Sequence, residues 1–257
     1  MHNGGPLLSR ANNVVLSSLS SHGPEARCAL VPIKALANAK QRLKSVLNEQ
    51  QRRQLSLAMA HDVLTTLTSI PNLALTVCAG DEYGVQLARK FNAAVLYDTE
   101  LPQPGLDAIA GAFAQRIANQ GYRHAMVVHA DIPLLNARTV EALFEQPDCD
   151  VALVADRHHQ GTNVLRWRIE SGFVTHFGVH SRAQHLTQCA ALNLRVKEIT
   201  CEETALDIDS FEDLQTLYQS HKLMADTHTY RLLSQASDIK NMLAGAGGAS
   251  IPVAKHA

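Results

Sequence analysis

The stretch His124-Ala125-Met126-Val127-Val128-His129-Ala130-Asp131-Ile132-Pro133 decides how this chain folds. Its apolar run stops at an acidic residue, and a proline two positions later ends any pairing. That pattern predicts a buried parallel strand ending at Asp131, with the carboxylate at its C-terminal edge. In open α/β sheets the ligand crevice lies outside the carboxyl ends of the strands, so Asp131 is a candidate metal ligand. A second acidic cluster, Leu206-Asp207-Ile208-Asp209-Ser210, lies far downstream. Together with a lysine-rich first loop, the two carboxylate sites point to chemistry on a metal-bound nucleotide.

Outward from that strand, short apolar runs alternate with helical spacing. Strands are expected at 28–33, 73–78, 93–97 and 150–155, and helices at 49–67, 81–91, from Gly105 to about 119, and from Asn136 or Thr139 to about 145. This alternation predicts an α/β fold with a Rossmann-like, mostly parallel sheet. After Asp156 the rhythm changes. Extended segments are expected at 162–168 and 172–177 around a turn, a helix at 181–192, an extended run at 194–199 and a helix at 211–218. This half reads as an insertion covering the carboxyl edge of the sheet. Residues 1–26 read as a flexible arm, 27–220 as one domain, and 221–257 as a C-terminal helix with a disordered Gly-rich tail after about Asn241.

The 257-residue chain is long enough for a full core, and 46% hydrophobic with 18% charged residues fits a soluble globular protein. A net charge of -1 gives no electrostatic case for nucleic acid or an acidic membrane surface. The N-terminal residues lack a charged n-region and a sustained apolar run, which argues against a signal peptide. The five cysteines are widely spaced with no CxxC pair, as expected of reduced thiols in the cytoplasm.

Four constellations carry chemistry. Lys34, Lys40 and Arg42 follow the first strand, where cations can neutralise a triphosphate; the plain alternative is a solvated basic loop. No Walker A glycines are present. Gly105-Leu106-Asp107 opens a helix of small residues, which lets a ligand approach the backbone, or is a simple loop-to-helix junction. Asp131 with Asp207 and Asp209 suits a hard divalent cation such as Mg²⁺. Either Asp209 or Ser210 can instead cap the helix that follows, so the sequence leaves open which of Asp207 and Asp209 reaches the metal. Gly161-Thr162-Asn163 is answered by Gly178-Val179-His180-Ser181, each pairing a glycine with hydroxyl or amide donors. Of the 13 histidines none has a zinc-ligand pattern, and His185 is the best candidate for a substrate contact.

In order, Val31-Pro-Ile-Lys34, Ala39-Lys40-Gln-Arg42-Leu43, Asp62-Val63-Leu64, Gly105-Leu106-Asp107-Ala108, Ala130-Asp131-Ile-Pro133, Gly161-Thr162-Asn163, Phe177-Gly178 through Ser181 and His185, and Asp207-Ile-Asp209 form a set. In that set the chain resembles the guanylyltransferases of coenzyme F-420 biosynthesis. The resemblance spans about residues 28–220 and implies a nucleotidyltransferase fold like that of nucleotide-diphospho-sugar transferases. It implies transfer of GMP from GTP to 2-phospho-L-lactate, phosphoenolpyruvate or 3-phospho-D-glycerate, with release of pyrophosphate. The product would pass to a deazaflavin-transferring enzyme, and a homodimer is compatible with the family.

Carried over residue by residue, Lys34 and Asp131 are catalytic, and Lys34, Lys40, Arg42, Gly105, Leu106 and Asp107 bind the nucleotide. Thr162, Gly178, Ser181 and His185 bind the acceptor, and Asp131, Asp207 and Asp209 hold Mg²⁺. Asp107 departs from the asparagine expected after Gly-Leu, and a carboxylate cannot donate as an amide does. The alternatives are a nucleotidyltransferase for another small phosphorylated acceptor, or a nucleotide-binding module without catalysis.

Overall fold

The computed structural model describes residues 27–100, 105–146, 148–220, 222–235 and 237–245. The arm at 1–26 and the tail after 245 lie outside the described residues. Seven strands, β1 (Arg27–Ile33), β2 (Leu73–Ala79), β3 (Ala94–Tyr97), β4 (His124–Val128), β5 (Val151–Ala155), β6 (Thr162–Arg168) and β7 (Val196–Glu198), form one sheet in the order β3-β2-β1-β4-β6-β5-β7. The helices are α1 (Glu49–Thr68), α2 (Glu82–Lys90), α3 (Leu106–Ala118), α4 (Ala137–Phe144), α5 (Ser181–Ala191), α6 (Glu202–Ala205), α7 (Phe211–Ser220), α8 (His228–Gln235) and α9 (Ser237–Gly245).

The central strands are buried on both faces, which is why they read as continuous apolar runs. Along β1, Ala29, Val31 and Ile33 face Val63, Leu64 and Leu67 of α1, while Cys28 and Leu30 face Phe113 and Ile117 of α3. A further apolar nucleus joins Leu55 and Met59 of α1 to Leu214 and Leu217 of α7, Leu233 of α8, and Ile239 and Leu243 of α9. The last helix therefore runs past the expected start of the tail, because Leu243 is buried. Helix starts follow local chemistry. Asn48 and Gln51 form a reciprocal capping box on α1, Asp81 caps α2, and Asn136 caps α4.

The structure corrects three expectations. The Asp131 strand ends at Val128: one further backbone bond, His129 N–H to the Asn163 carbonyl (3.0 Å), closes the ladder, and the chain then turns. The second half does not cover the sheet as an insertion; β6 enters it antiparallel between β4 and β5, and β7 adds a parallel edge. Residues 172–177 form no strand, because their amides are taken by side chains. Val174 N–H donates to Gln188 (3.1 Å), His176 N–H to His185 (2.9 Å) and Phe177 N–H to Asp107 (2.8 Å). Extended backbone needs partners for its polar groups, and here they are not another strand.

This topology positions the site. The sheet order reverses between β1 and β4, the switch point where α/β folds open a crevice. The antiparallel β6 begins at that same edge, so Thr162 and Asn163 arrive beside the exit of β4.

Candidate active site

The first loop is shaped before it is charged. Gly80, at the exit of β2, presses on it so closely that a Cβ there would lie 2.4 Å from the Ala35 nitrogen. Asp81 accepts from Leu36 N–H (2.7 Å) as well as from Gly84 N–H (3.1 Å). Lys34 stands exposed just past β1. Lys40 sits in the left-handed region (φ 47°), which costs a non-glycine residue energy that its surroundings must offset. Its ammonium lies 2.5 Å from Asp131 Oδ2 and 3.0 Å from Asp209 Oδ1, and Arg42 Nη1 lies 3.5 Å from Asp209 Oδ2. Burial alone would favour a neutral Lys40, yet Asp131 and Asp209 hold its pKa above the ordinary lysine value.

The acidic loop comes to the same place by a different route. Asn163 Nδ2 donates to the carbonyls of Thr204 (3.1 Å) and Ala205 (3.0 Å) and reaches Asp207 Oδ1 at 3.5 Å. Ile208 N–H donates to the Asp131 carbonyl (3.0 Å), tying the two acidic segments backbone to backbone. The cap of α7 is Ser210: its hydroxyl accepts from Asp213 N–H (3.2 Å), and the Asp213 carboxylate accepts from Ser210 N–H (2.7 Å). Neither Asp207 nor Asp209 is used up as the cap.

Asp131 and Asp209 thus share Lys40, and Asp207 lies close enough to feel both charges. Burial, then repulsion from Asp131 and Asp209, raises Asp207 to about 6. Burial would raise Asp131 too, but Lys40 and His129 hold it below the usual carboxylate range. Asp131 Oδ1 and His129 Nε2 are buried with no hydrogen-bond partner among the described residues. An orphaned carboxylate oxygen within a cluster of hard oxygen donors fits a divalent cation such as Mg²⁺.

On the other side, Thr162, Ser181 and His185 form a buried set at 1%, 2% and 0% exposure. His185 Nε2 accepts from His176 N–H, so its Nδ1–H faces Thr162 Oγ1 at 3.1 Å, and Ser181 Oγ donates to the same oxygen at 3.3 Å. His185 therefore has no surface for the direct contact expected of it and instead holds Thr162 in place. The exposed part is the turn before α5, where Gly178 has φ 132° and His180 φ 59°. Asp107 accepts from Phe177 N–H and ties the start of α3 to that turn. Gly105 (φ 117°) is exposed and Leu106 packs partly into the core.

Asp213 and His129 were not among the expected site residues, and Asn163 was expected only as part of the Gly161–Asn163 motif, with no role of its own. Asn163 sits next to Thr162 on a strand, where neighbouring side chains point to opposite faces; its approach to the 204–207 loop has no signal in sequence.

Burial lowers His185 to about 4, with His176 adding to the effect. Its folded pKa lies below the ordinary 6.5, so the unfolded chain takes up that proton first as pH falls. The stability it contributes is complete above about 6.5 and is lost as pH drops toward about 4. His61, also lowered to about 4, shares the window. Urea unfolding across that range is expected to give a shallower pH slope for His185→Asn than for the parent; identical slopes would contradict the assignment.

The family model for guanylyl transferase CofC like proteins matches residues 27–239. The chain belongs to that family. A CofC-like relative, the phosphoenolpyruvate guanylyltransferase of Roseiflexus sp. (strain RS-1), is 34% identical over 79% of this chain and 89% of its own. The 2-phospho-L-lactate guanylyltransferase of Methanosphaera stadtmanae is 28% identical over 80% and 88%. Among solved structures, a Desulfovibrio desulfuricans G20 protein assigned to the nucleotide-diphospho-sugar transferases superposes with a TM-score of 0.70 at 17% identity, covering 85% of this chain and 98% of that one. It shows that this CofC-like chain has the nucleotidyltransferase fold. No helix among the described residues is long and apolar enough to cross a membrane.

Proposed function

We propose that this chain transfers GMP from GTP to a small phosphorylated carboxylic acid and releases pyrophosphate, as a step in making coenzyme F-420. Phosphoenolpyruvate, 2-phospho-L-lactate and 3-phospho-D-glycerate are the candidate acceptors. The observation that carries the reading is the pairing of Lys40 with both Asp131 and Asp209 at the β1–β4 switch point, with Asp207 close enough for its carboxyl to be raised by those two charges.

The chemistry asks little of a general base. The acceptor phosphate oxygen is already anionic and attacks the α-phosphorus of GTP, forming a new P–O–P link as the α–β bridge breaks. The barrier is repulsion between anions and the charge that builds on pyrophosphate. Lys34 and Arg42 flank the crevice and supply positive charge to the phosphates. Asp131, with Asp207 and Asp209, would hold Mg²⁺, which when bound neutralises the triphosphate and the leaving group. Lys40 balances these carboxylates from below. Gly105 and Leu106 border the nucleoside side.

The acceptor lies at the exposed Gly178–His180 turn before α5, where the positive end of the helix dipole favours an anion. Thr162, Ser181 and His185 form the floor that keeps the turn in shape. Ser181→Ala is accordingly expected to raise the acceptor KM roughly fivefold to tenfold, the effect of losing about 1 kcal/mol, with less change in the GTP KM. An equal rise in both would argue against an acceptor role. The function itself is tested by pyrophosphate release from GTP, which should require one of the three acids.

A further inference from the structure

Outside this crevice, α1 and α8 bring together His61, Asp62 and His228, whose potential ligand atoms all lie within 4.8 Å of one another. We propose that these three residues form a binding site for a borderline-soft divalent transition metal ion, of the zinc class, that clips α8 to α1. Two imidazoles and one carboxylate are a donor set suited to such ions, in contrast with the all-oxygen cluster at Asp131.

The hydrogen bonds fix which atoms are available. The Thr65 hydroxyl donates to the His61 carbonyl (2.8 Å), so its oxygen accepts from His61 Nδ1–H (3.3 Å). Lys90 Nζ, which can only donate, lies 2.7 Å from His61 Nε2. His61 Nε2 therefore carries a lone pair, and a cation already sits against it. His228 stacks on His61 with ring centroids 3.4 Å apart, and its ring nitrogens make no hydrogen bond among the described residues. His228 Nδ1 stands 3.6 Å from Asp62 Oδ1.

Asp62 is buried and held in place: its carboxylate accepts from His228 N–H and Thr229 N–H, both at 2.8 Å. Such bonds orient a carboxylate toward a metal while leaving it lone pairs. The cluster opens onto a shallow groove of about 490 Å³ bordered by Gln54, Tyr83, Gln86 and Lys90, so an ion has a path in. Entry of the ion needs two movements, both in partly exposed groups. The Lys90 ammonium leaves Nε2 intact for solvent, and the His228 ring turns out of the stack so that its lone pair converges with that of His61.

The test titrates the full chain with Zn²⁺ by calorimetry, and with Co²⁺ by visible absorption, alongside His61→Ala, His228→Ala, Lys90→Met and Asp131→Asn. Asp131→Asn is expected to keep the equivalent of Zn²⁺ that the parent binds at His61 and His228, with Tm rising with the logarithm of free metal. Both histidine variants, folded by circular dichroism, should lose at least about tenfold in affinity, since losing even a partner that only orients a ligand costs about 10–100-fold. Lys90→Met should bind several-fold more tightly, because the competing cation is gone. Co²⁺ should give a d–d band without thiolate charge transfer, which separates this site from the cysteines. Undiminished binding in His228→Ala, loss of binding in Asp131→Asn, a thiolate band, or no binding at submillimolar metal would each overturn the proposal.

Discussion

Asp131→Asn is expected to lower kcat for guanylyl transfer by about a thousandfold, comparable to removing a group that stabilises charge in the transition state. The amide keeps the volume of the carboxylate and one acceptor oxygen, so the fold should survive, and circular dichroism should show it. What disappears is the charge. Of the three acids, Asp131 is the one held below the ordinary range, and its Oδ1 is buried with no hydrogen-bond partner among the described residues. Its replacement leaves Lys40 paired to Asp209 alone and removes one of three hard oxygen donors. The residual activity should need more Mg²⁺ for half-saturation. Pyrophosphate release against Mg²⁺ concentration checks both points, and parent-like turnover would remove Asp131 from the site.

Lys40→Met should act mainly on stability, and in a way that Mg²⁺ reverses. The Lys40 side chain is only 9% exposed and is the cation shared by Asp131 and Asp209. Removing one partner of a buried ion pair costs roughly 3–5 kcal/mol because the other charge is left uncompensated. Asp131 and Asp209 are 27% and 46% exposed, and solvent screens them, so about 2 kcal/mol is the expected loss here. If the three carboxylates form a divalent site, millimolar Mg²⁺ takes over the role of the lost ammonium. Thermal unfolding of both proteins with and without Mg²⁺ should then show a gap that narrows when the ion is added. A gap of constant size would mean that Lys40 is a structural cation unconnected to metal binding.

Both predictions rest on parts of the chain that sequence made legible to different degrees. The strands β1 and β4 announce themselves, since burial on both faces leaves unbroken apolar runs, and the acid beyond β4 marks the crevice. The Lys34–Arg42 loop and the Asp207–Asp209 segment were legible as charged clusters at strand exits. Their meeting was not. Lys40 reaches both acids from a left-handed backbone, and nothing local announces that conformation in a lysine.

Strand direction was equally silent. An apolar run reads the same parallel or antiparallel, so the reversal of β6, which delivers Thr162 and Asn163 to the site, had to come from tertiary pairing. Residues 172–177 looked like a strand because extended backbone and its residue preferences are local, while the partners that replaced a neighbouring strand are side chains on α3 and α5. The choice between Asp209 and Ser210 as helix cap was open in sequence, and Asp213 settled it by pairing with Ser210. His185 reads in sequence as a polar side chain free for a contact, whereas its burial leaves it to support Thr162.

The central claim is guanylyl transfer to a phosphorylated acid, and one measurement meets it most directly. The purified chain is incubated with GTP, Mg²⁺ and, separately, phosphoenolpyruvate, 2-phospho-L-lactate or 3-phospho-D-glycerate, and the products are identified by mass. The predicted result is a guanylylated acid from at least one of them, with pyrophosphate formed in equal amount. No guanylylated product from any of the three, or an equal yield when CTP replaces GTP, would contradict it.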